Sequence, residues 1–198
     1  MIIKSIDMWR ESVRLIFHED KCNGCGICIQ VCPKESIVLN PVGASIRERI
    51  EKPPIDIDEG KCVICGVCSS LCPEKALEVM INDEKRNLVV EFNAIPQEIK
   101  FKGGVDINEE ICPKGCNTCE IVCMEDAIRV DESGIEFNKE KCTFCGACAL
   151  VCPSEAITLI RKEIICKKKP KTRLMKRIED NLLGEVSLDS LIKNEQSK

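Results

Sequence analysis

A chain of 198 residues with five Phe, one Trp and no Tyr has little with which to build an ordinary aromatic core, yet it carries 17 cysteines, far more than packing alone requires. Its net charge of −4 divides unevenly: residues 1–160 hold 18 Lys and Arg against 27 Asp and Glu, a net of −9, whereas residues 161–198 hold 11 against 6, a net of +5. The acidic body argues against nucleic acid as a partner, no apolar run reaches the length of a membrane span, and the thiol count calls for a reducing, cytoplasmic setting.

The first segment, MIIKSIDMWRESVRLIF, lacks a long apolar stretch ending in a cleavage site, so a secreted disulfide scaffold is not expected. Trp9 and His18 read as packing or surface residues. Four near-copies of one pattern then account for sixteen cysteines: CNGCGICIQVCP from Cys22, CVICGVCSSLCP from Cys62, CPKGCNTCEIVCM from Cys112 and CTFCGACALVCP from Cys142. Three of them follow the bacterial ferredoxin run Cys-x2-Cys-x2-Cys-x3-Cys-Pro, which ligates [4Fe–4S] clusters. Structural zinc, in contrast, takes two separated pairs of ligands. Gly26, Gly66 and Gly146 follow the second cysteine of their runs, where a loop wound tightly round a cube favours positive φ; Asn117, the commonest non-glycine visitor to that region, stands there in the third run. That run is the deviant one, with three residues between Cys112 and Cys116 and Met124 in place of the proline. It leaves a three-iron site or a shifted potential open beside the four-iron cluster that its four thiols favour.

Resemblance to two-cluster ferredoxins implies that the fourth cysteine of each run crosses to the cluster of its partner run. The implied ligand sets are Cys22, Cys25, Cys28 and Cys72 for the first cluster, and Cys62, Cys65, Cys68 and Cys32 for the second. Cys112, Cys116, Cys119 and Cys152 would hold the third, and Cys142, Cys145, Cys148 and Cys123 the fourth. Cys166, alone in a basic segment, reads as an ordinary thiol.

Between the runs, a small residue then an apolar one recurs at a fixed offset (Ser36-Ile37, Ala76-Leu77, Ala127-Ile128, Ala156-Ile157) and is expected to pack over the clusters and begin a strand. Residues 36–61 read as strand, loop, strand, and AIRVDESGIEFNKEK as a hairpin turning at Asp131 to Gly134. The alternation about Asn93-Ala94-Ile95-Pro96 predicts an inserted hairpin over 83–105. Leu174, Ile178 and Leu182 recur at helical spacing in the basic tail, which predicts an amphipathic helix serving either as a cap on the acidic body or as a dock for another subunit. The expected fold class is α+β: two tandem bacterial-type dicluster ferredoxin domains of short helices and β-hairpins, at 1–82 and 106–160, with a connector at 83–105 and a partly helical basic tail at 161–198.

The four runs, the lengthened loop ending PPIDIDEGKC, the RNLVVEFN segment and the CPKGCNTCEIVC variant resemble the polyferredoxins of methanogenic archaea, especially those associated with formylmethanofuran dehydrogenase. The resemblance spans roughly residues 18–160. It implies four [4Fe–4S] clusters relaying low-potential electrons between redox protein partners of the formylmethanofuran dehydrogenase, hydrogenase or heterodisulfide reductase type, with no independent catalytic site. Two alternatives stand beside it: an accessory subunit of a membrane energy-converting hydrogenase, and an iron–sulfur regulator binding nucleic acid through the basic tail.

Overall fold

The computed structural model describes residues 1–40, 53–132 and 134–192. Two units of the same design follow one another. In the first, β2 (Ser12–Phe17) pairs antiparallel with β5 (Leu77–Ile81), and between them in the chain come α1 (Ile27–Val31), the hairpin of β3 (Ile37–Leu39) and β4 (Ile55–Ile57), and α2 (Val67–Leu71). In the second, β7 (Lys100–Ile107) pairs antiparallel with β10 (Ile157–Ile165) and encloses α4 (Thr118–Ile121), the hairpin of β8 (Ile128–Asp131) and β9 (Gly134–Phe137), and α5 (Ala147–Val151). Each short helix begins inside a cysteine run, and each strand after a run starts at the apolar member of its small–apolar pair. Those residues, Ile37, Leu77, Ile128 and Ile157, are all buried.

Extra strands extend each sheet. β1 (Ile2–Asp7) lies on β2 and β6 (Glu84–Lys85) on β5, giving the order β1-β2-β5-β6, while β11 (Gly184–Glu185) lies on β10 opposite β7. The loop expected between the two strands of residues 36–61 lies outside the described residues.

The inserted hairpin expected over 83–105 is corrected. Glu84–Lys85 folds back on β5, Leu88–Glu91 forms a single helical turn (α3), and Lys100–Ile107 crosses to β10. Three successive apolar residues, Leu88, Val89 and Val90, suit one turn of helix. It closes where Asn93 takes φ 54° and the amides of Ala94 and Ile95 donate to Val89 O. The alternating segment after it finds its partner in the strand that follows the last cysteine run. The second unit thus begins at Lys100, not 106, and a boundary at 160 would cut through β10.

The tail is integrated into the body. α6 (Arg173–Leu182) starts at Thr172, whose hydroxyl accepts from Met175 N at 3.0 Å and donates to Ala94 O at 2.7 Å, and it buries Met175, Ile178 and Leu182. It packs on α1, to which Asn181 Nδ2 is tied through Gln30 O at 2.8 Å. α7 (Leu188–Ile192) lays Leu191 across Gly26. The anticipated helix is present, and its apolar face covers this chain's own first unit.

Candidate metal centres

Each run folds by the same local steps. The residue before the second cysteine has positive φ in all four copies (Gly24, Ile64, Gly115 and Phe144), and so does the residue three past the fourth cysteine (Glu35, Lys75, Asp126 and Glu155). Glycines follow the second cysteine in three runs with φ 72°, 80° and 89° at Gly26, Gly66 and Gly146, where each is the N-cap of its helix. Asn117 does not adopt that conformation. It stands at φ −120°, ψ 21°, so the third run, with its extra residue between Cys112 and Cys116, enters its helix without the second left-handed bend. The left-handed bends turn amides inward: the N–H groups of Ser36, Ala76, Ala127 and Ala156 donate to the sulfurs of Cys32, Cys72, Cys123 and Cys152 at 3.4, 3.3, 3.2 and 3.2 Å. Such bonds stabilise a sulfur carrying negative charge.

The runs are tied crosswise. His18 N donates to Ala76 O, Asp58 N to Ser36 O, Asn108 N to Ala156 O and Asn138 N to Ala127 O, all at 2.8 Å, joining the entry of each run to the exit of its partner. One cavity is consequently lined by Cys22, Cys25, Cys28 and Cys72, a second by Cys62, Cys65, Cys68 and Cys32, and another by Cys142, Cys145, Cys148 and Cys123. Cys112 lies close enough to Cys116 and Cys152, and Cys119 to Cys112 and Cys116, for their charges to interact. Cys166 lines none of the three cavities. Trp9 is almost fully exposed, and His18 pairs with Glu78 at 3.1 Å.

The donor set fits an iron–sulfur cube. Among the described residues the sulfurs line cavities, and no three His, Cys, Asp or Glu side chains converge closely enough to hold one ion, as zinc would require. Apolar walls surround them: Leu15, Ile37 and Ile64 at the second cavity, Ile27, Ile55 and Leu77 at the first, and Val122, Ile128 and Leu159 at the one around Cys145. Burial pushes the Cys25, Cys28, Cys68 and Cys148 thiols well up and those of Cys119 and Cys142 up to about 11; neighbouring cysteines add to the rise. Thiols so disposed ionise in favour of a cationic iron core and not of water.

Residues 21–76 match the family described as a 4Fe-4S dicluster domain, and residues 135–158 match a 4Fe-4S binding domain. The matched segments, with the four cysteine runs and the thiol-lined cavities, are those of a chain holding four [4Fe–4S] clusters. The sequence is 39% identical over 49 residues to the polyferredoxin protein FwdF of Methanocaldococcus jannaschii, covering 25% of this chain and 14% of that protein. It is 35% identical over 86 residues to one subunit of the Na(+)-translocating ferredoxin:NAD(+) oxidoreductase complex of Acetobacterium woodii (36% and 26% covered). It is 53% identical over 45 residues to one subunit of an ion-translocating oxidoreductase complex of Methanosarcina acetivorans (23% and 17%). The chain thus spans about a quarter or less of the curated relatives it matches. Its fold matches a chain of the formate dehydrogenase–heterodisulfide reductase–formylmethanofuran dehydrogenase complex from Methanospirillum hungatei, with TM-score 0.77 at 24% identity over 91% of this chain and 88% of that one.

Between the two units lies a junction that motif reading missed. Asn23 and Glu74 line both the Cys25 cavity and the Cys145 cavity. Asn23 Nδ2 donates to Glu74 Oε1 at 3.0 Å and approaches Cys145 Sγ at 3.6 Å, while Asn23 Oδ1 accepts from Cys25 N at 3.1 Å. Beside them Arg161 is buried, reaching Phe144 O, Cys145 O and Gln30 Oε1. These residues come from positions 23, 30, 74, 145 and 161, so no local spacing could announce them. The one available signal was strand parity: Arg161 shares the inward face of β10 with Ile157 and Leu159.

Proposed function

We propose that this chain is a polyferredoxin whose four clusters, held by the crossed sets Cys22/Cys25/Cys28/Cys72, Cys62/Cys65/Cys68/Cys32, Cys112/Cys116/Cys119/Cys152 and Cys142/Cys145/Cys148/Cys123, relay low-potential electrons between cytoplasmic redox proteins. The observation that carries the ligand sets is the crosswise 2.8 Å tie of each run to its partner's exit. A bound cluster supplies reversible one-electron exchange without proton or substrate chemistry. The chain supplies thiolates, amide donors to sulfur, and apolar walls that keep water away. Each unit joins two cysteine sets, and Asn23 with Glu74 joins the Cys25 set to the Cys145 set, so the four stand in series with the Cys62 and Cys112 sets outermost. Near the latter, Ile111, Ile121 and Met124 are exposed, a surface suited to transient docking.

The segment shared with the polyferredoxin protein FwdF, together with the fold shared with a chain of a complex that contains formylmethanofuran dehydrogenase, supports a complex of that type as the partner, in which this chain carries electrons for the catalytic subunits. The longer match to a subunit of a Na(+)-translocating complex favours, as a second reading, attachment to a membrane complex through another subunit. Among the described residues no helix is long and apolar enough to cross a membrane. Sedimentation of the native protein with membranes would select the second reading; co-isolation with a non-membrane oxidoreductase selects the first.

The ligand sets are tested by pairing substitutions across runs. Cys72→Ser and Cys25→Ser should perturb the same electron paramagnetic resonance signal, and Cys68→Ser a different one. A shared signal for Cys72→Ser and Cys68→Ser would refute the crossing, and parent protein with far fewer than about sixteen irons per chain would refute the four-cluster reading.

A further inference from the structure

Among the described residues, the most deeply buried charge has no carboxylate beside it. Arg161 is 1% exposed, and every hydrogen-bond acceptor it reaches is neutral: Phe144 O from Nε at 2.9 Å, Gln30 Oε1 from Nη1 at 3.1 Å, Leu182 O from Nη1 at 3.5 Å, and Cys145 O from Nη2. Its guanidinium carbon stands 4.8 Å over the Phe101 ring. Among the described residues no Asp or Glu forms an ion pair with it. An isolated buried cation costs several kcal/mol or more unless an opposite charge compensates it.

The geometry supplies that charge from two sides. Phe144 and Cys145, whose carbonyls receive Nε and Nη2, belong to the fourth run, and Gln30, which receives Nη1, lies in α1 between two cysteines of the first. A Cβ added at Gly146 would stand 3.2 Å from Nη2, so the cation is in contact with the backbone of the fourth run. Burial lowers the Arg161 pKa, and the charges that oppose the fall are those of Cys25 and Cys145, one from each unit.

We propose that Arg161 is a fixed internal countercharge shared by the clusters of the Cys25 and Cys145 sets, holding both at a less negative potential than the two outer clusters. This rests on the four-cluster reading above. A [4Fe–4S] cluster held by either set would supply one-electron exchange with a low-potential protein donor; Arg161 itself would break no bond and exchange no proton. The added negative charge is stabilised by a cation held close by in a low-dielectric interior, so electron affinity rises at the junction. Arg161 is therefore a positioning residue for electrons. It makes the middle of the series their resting place, so that neither outer cluster can be reduced for long without sharing its electron with the other unit.

The test is potentiometry followed by electron paramagnetic resonance on the full chain reconstituted with iron and sulfide, for the parent, Arg161→Gln, Arg161→Lys and Gln30→Glu. The last is isosteric and sets a carboxylate against the guanidinium, neutralising it without opening the junction. In Arg161→Gln, two of the four midpoints should fall by at least a tenfold change in electron affinity, about 59 mV for a one-electron couple, while the other two stay in place. Gln30→Glu should move the same two in the same direction, and Arg161→Lys should restore them to within threefold of the parent. Midpoints that stay put in iron-replete Gln30→Glu and Arg161→Gln, or four that shift together, would overturn the proposal. Should Arg161→Gln fail to load iron, Gln30→Glu decides alone. A parent that binds far fewer than about sixteen irons sinks the four-cluster reading, and this inference with it, before any potential is measured; full loading with unmoved midpoints sinks the role of Arg161 alone.

Discussion

Residue by residue, left-handed backbone shapes the runs, and two glycines show how its cost depends on surroundings. At Gly66 (φ 80°) a Cβ would stand 2.7 Å from Asn87 Oδ1, and Asn87 also donates to Gly66 O at 2.8 Å, so the side chain cannot simply swing aside. At Gly115 (φ 76°) no atom lies within 4 Å of the added carbon. Gly115→Ala should therefore cost only the strain of a left-handed residue, about 1–2 kcal/mol, and Gly66→Ala distinctly more, as read from thermal melting of the loaded protein; equal losses would contradict the role given to Asn87. The motif made the glycines after the second cysteine legible. It concealed Ile64 and Phe144, which adopt positive φ with side chains that ordinarily avoid it, because there the requirement comes from the closed loop and not from the residue. Arg161 was concealed for a related reason: in ITLIRKEII a charge reads as solvent-facing, although its parity with Ile157 and Leu159 sets it on the inward face of β10.

Glu78 gives a titration with a definite sign. A hydrogen bond from Lys85 holds its carboxyl below the usual carboxylate range, and His18 adds to the effect against a smaller cost of burial. Because the folded pKa is depressed, the contribution is complete above the unfolded value near 4.5 and is lost as pH falls through the folded value. Glu78→Gln should lower the melting temperature at pH 7 and leave the gap to the parent narrower below pH 4.5; a gap independent of pH would show that the pair carries no proton linkage.

Among elements, the informative contrast lies between those written in one stretch and those that depend on a distant partner. The helices inside the runs, the β8–β9 hairpin and α6 follow from local pattern, with Thr172 capping and Met175, Ile178 and Leu182 on one face. The β7–β10 pairing joins segments some 60 residues apart, so residues 100–107 alternated legibly but gave no clue to their partner. α6 was legible as a helix, whereas its docking on α1 was not, because a buried apolar stripe looks the same whether it faces its own body or another subunit. Ile178, 1% exposed, is the place to test that docking. Ile178→Ala should cost about 2–5 kcal/mol and speed proteolytic cleavage in the Lys167–Arg173 segment, while a proteolysis rate equal to the parent's would mean that α6 is held by something other than its buried face.

On the scale of the whole molecule, the cysteine sets do what a larger apolar core does elsewhere. Buried side chains such as Leu15, Ile27, Leu77 and Leu159 face thiol-lined cavities as much as they face each other, so much of the packing passes through the metal sites. Domains this small bury little surface on their own account, and their folding free energy is then largely metal-binding free energy. Proton linkage points the same way. The Cys119 and Cys142 thiols rise to about 11 from an ordinary value near 9.0, so in the iron-free fold their stabilising contribution is present below 9 and is lost as pH climbs towards 11, where the unfolded thiols have already ionised. Loading iron demands the opposite protonation state and releases those protons, so cluster assembly should strengthen with rising pH over the same window in which an iron-free chain weakens. Anaerobic chelation of iron at pH 7 should thus abolish most of the far-ultraviolet circular dichroism along with the visible absorbance, and at pH 9.5 the collapse should be more complete. A chelated chain that kept its helix and strand signal at both pH values would mean that the apolar walls hold the fold unaided, and that the clusters are passengers in a scaffold and not its organising centre.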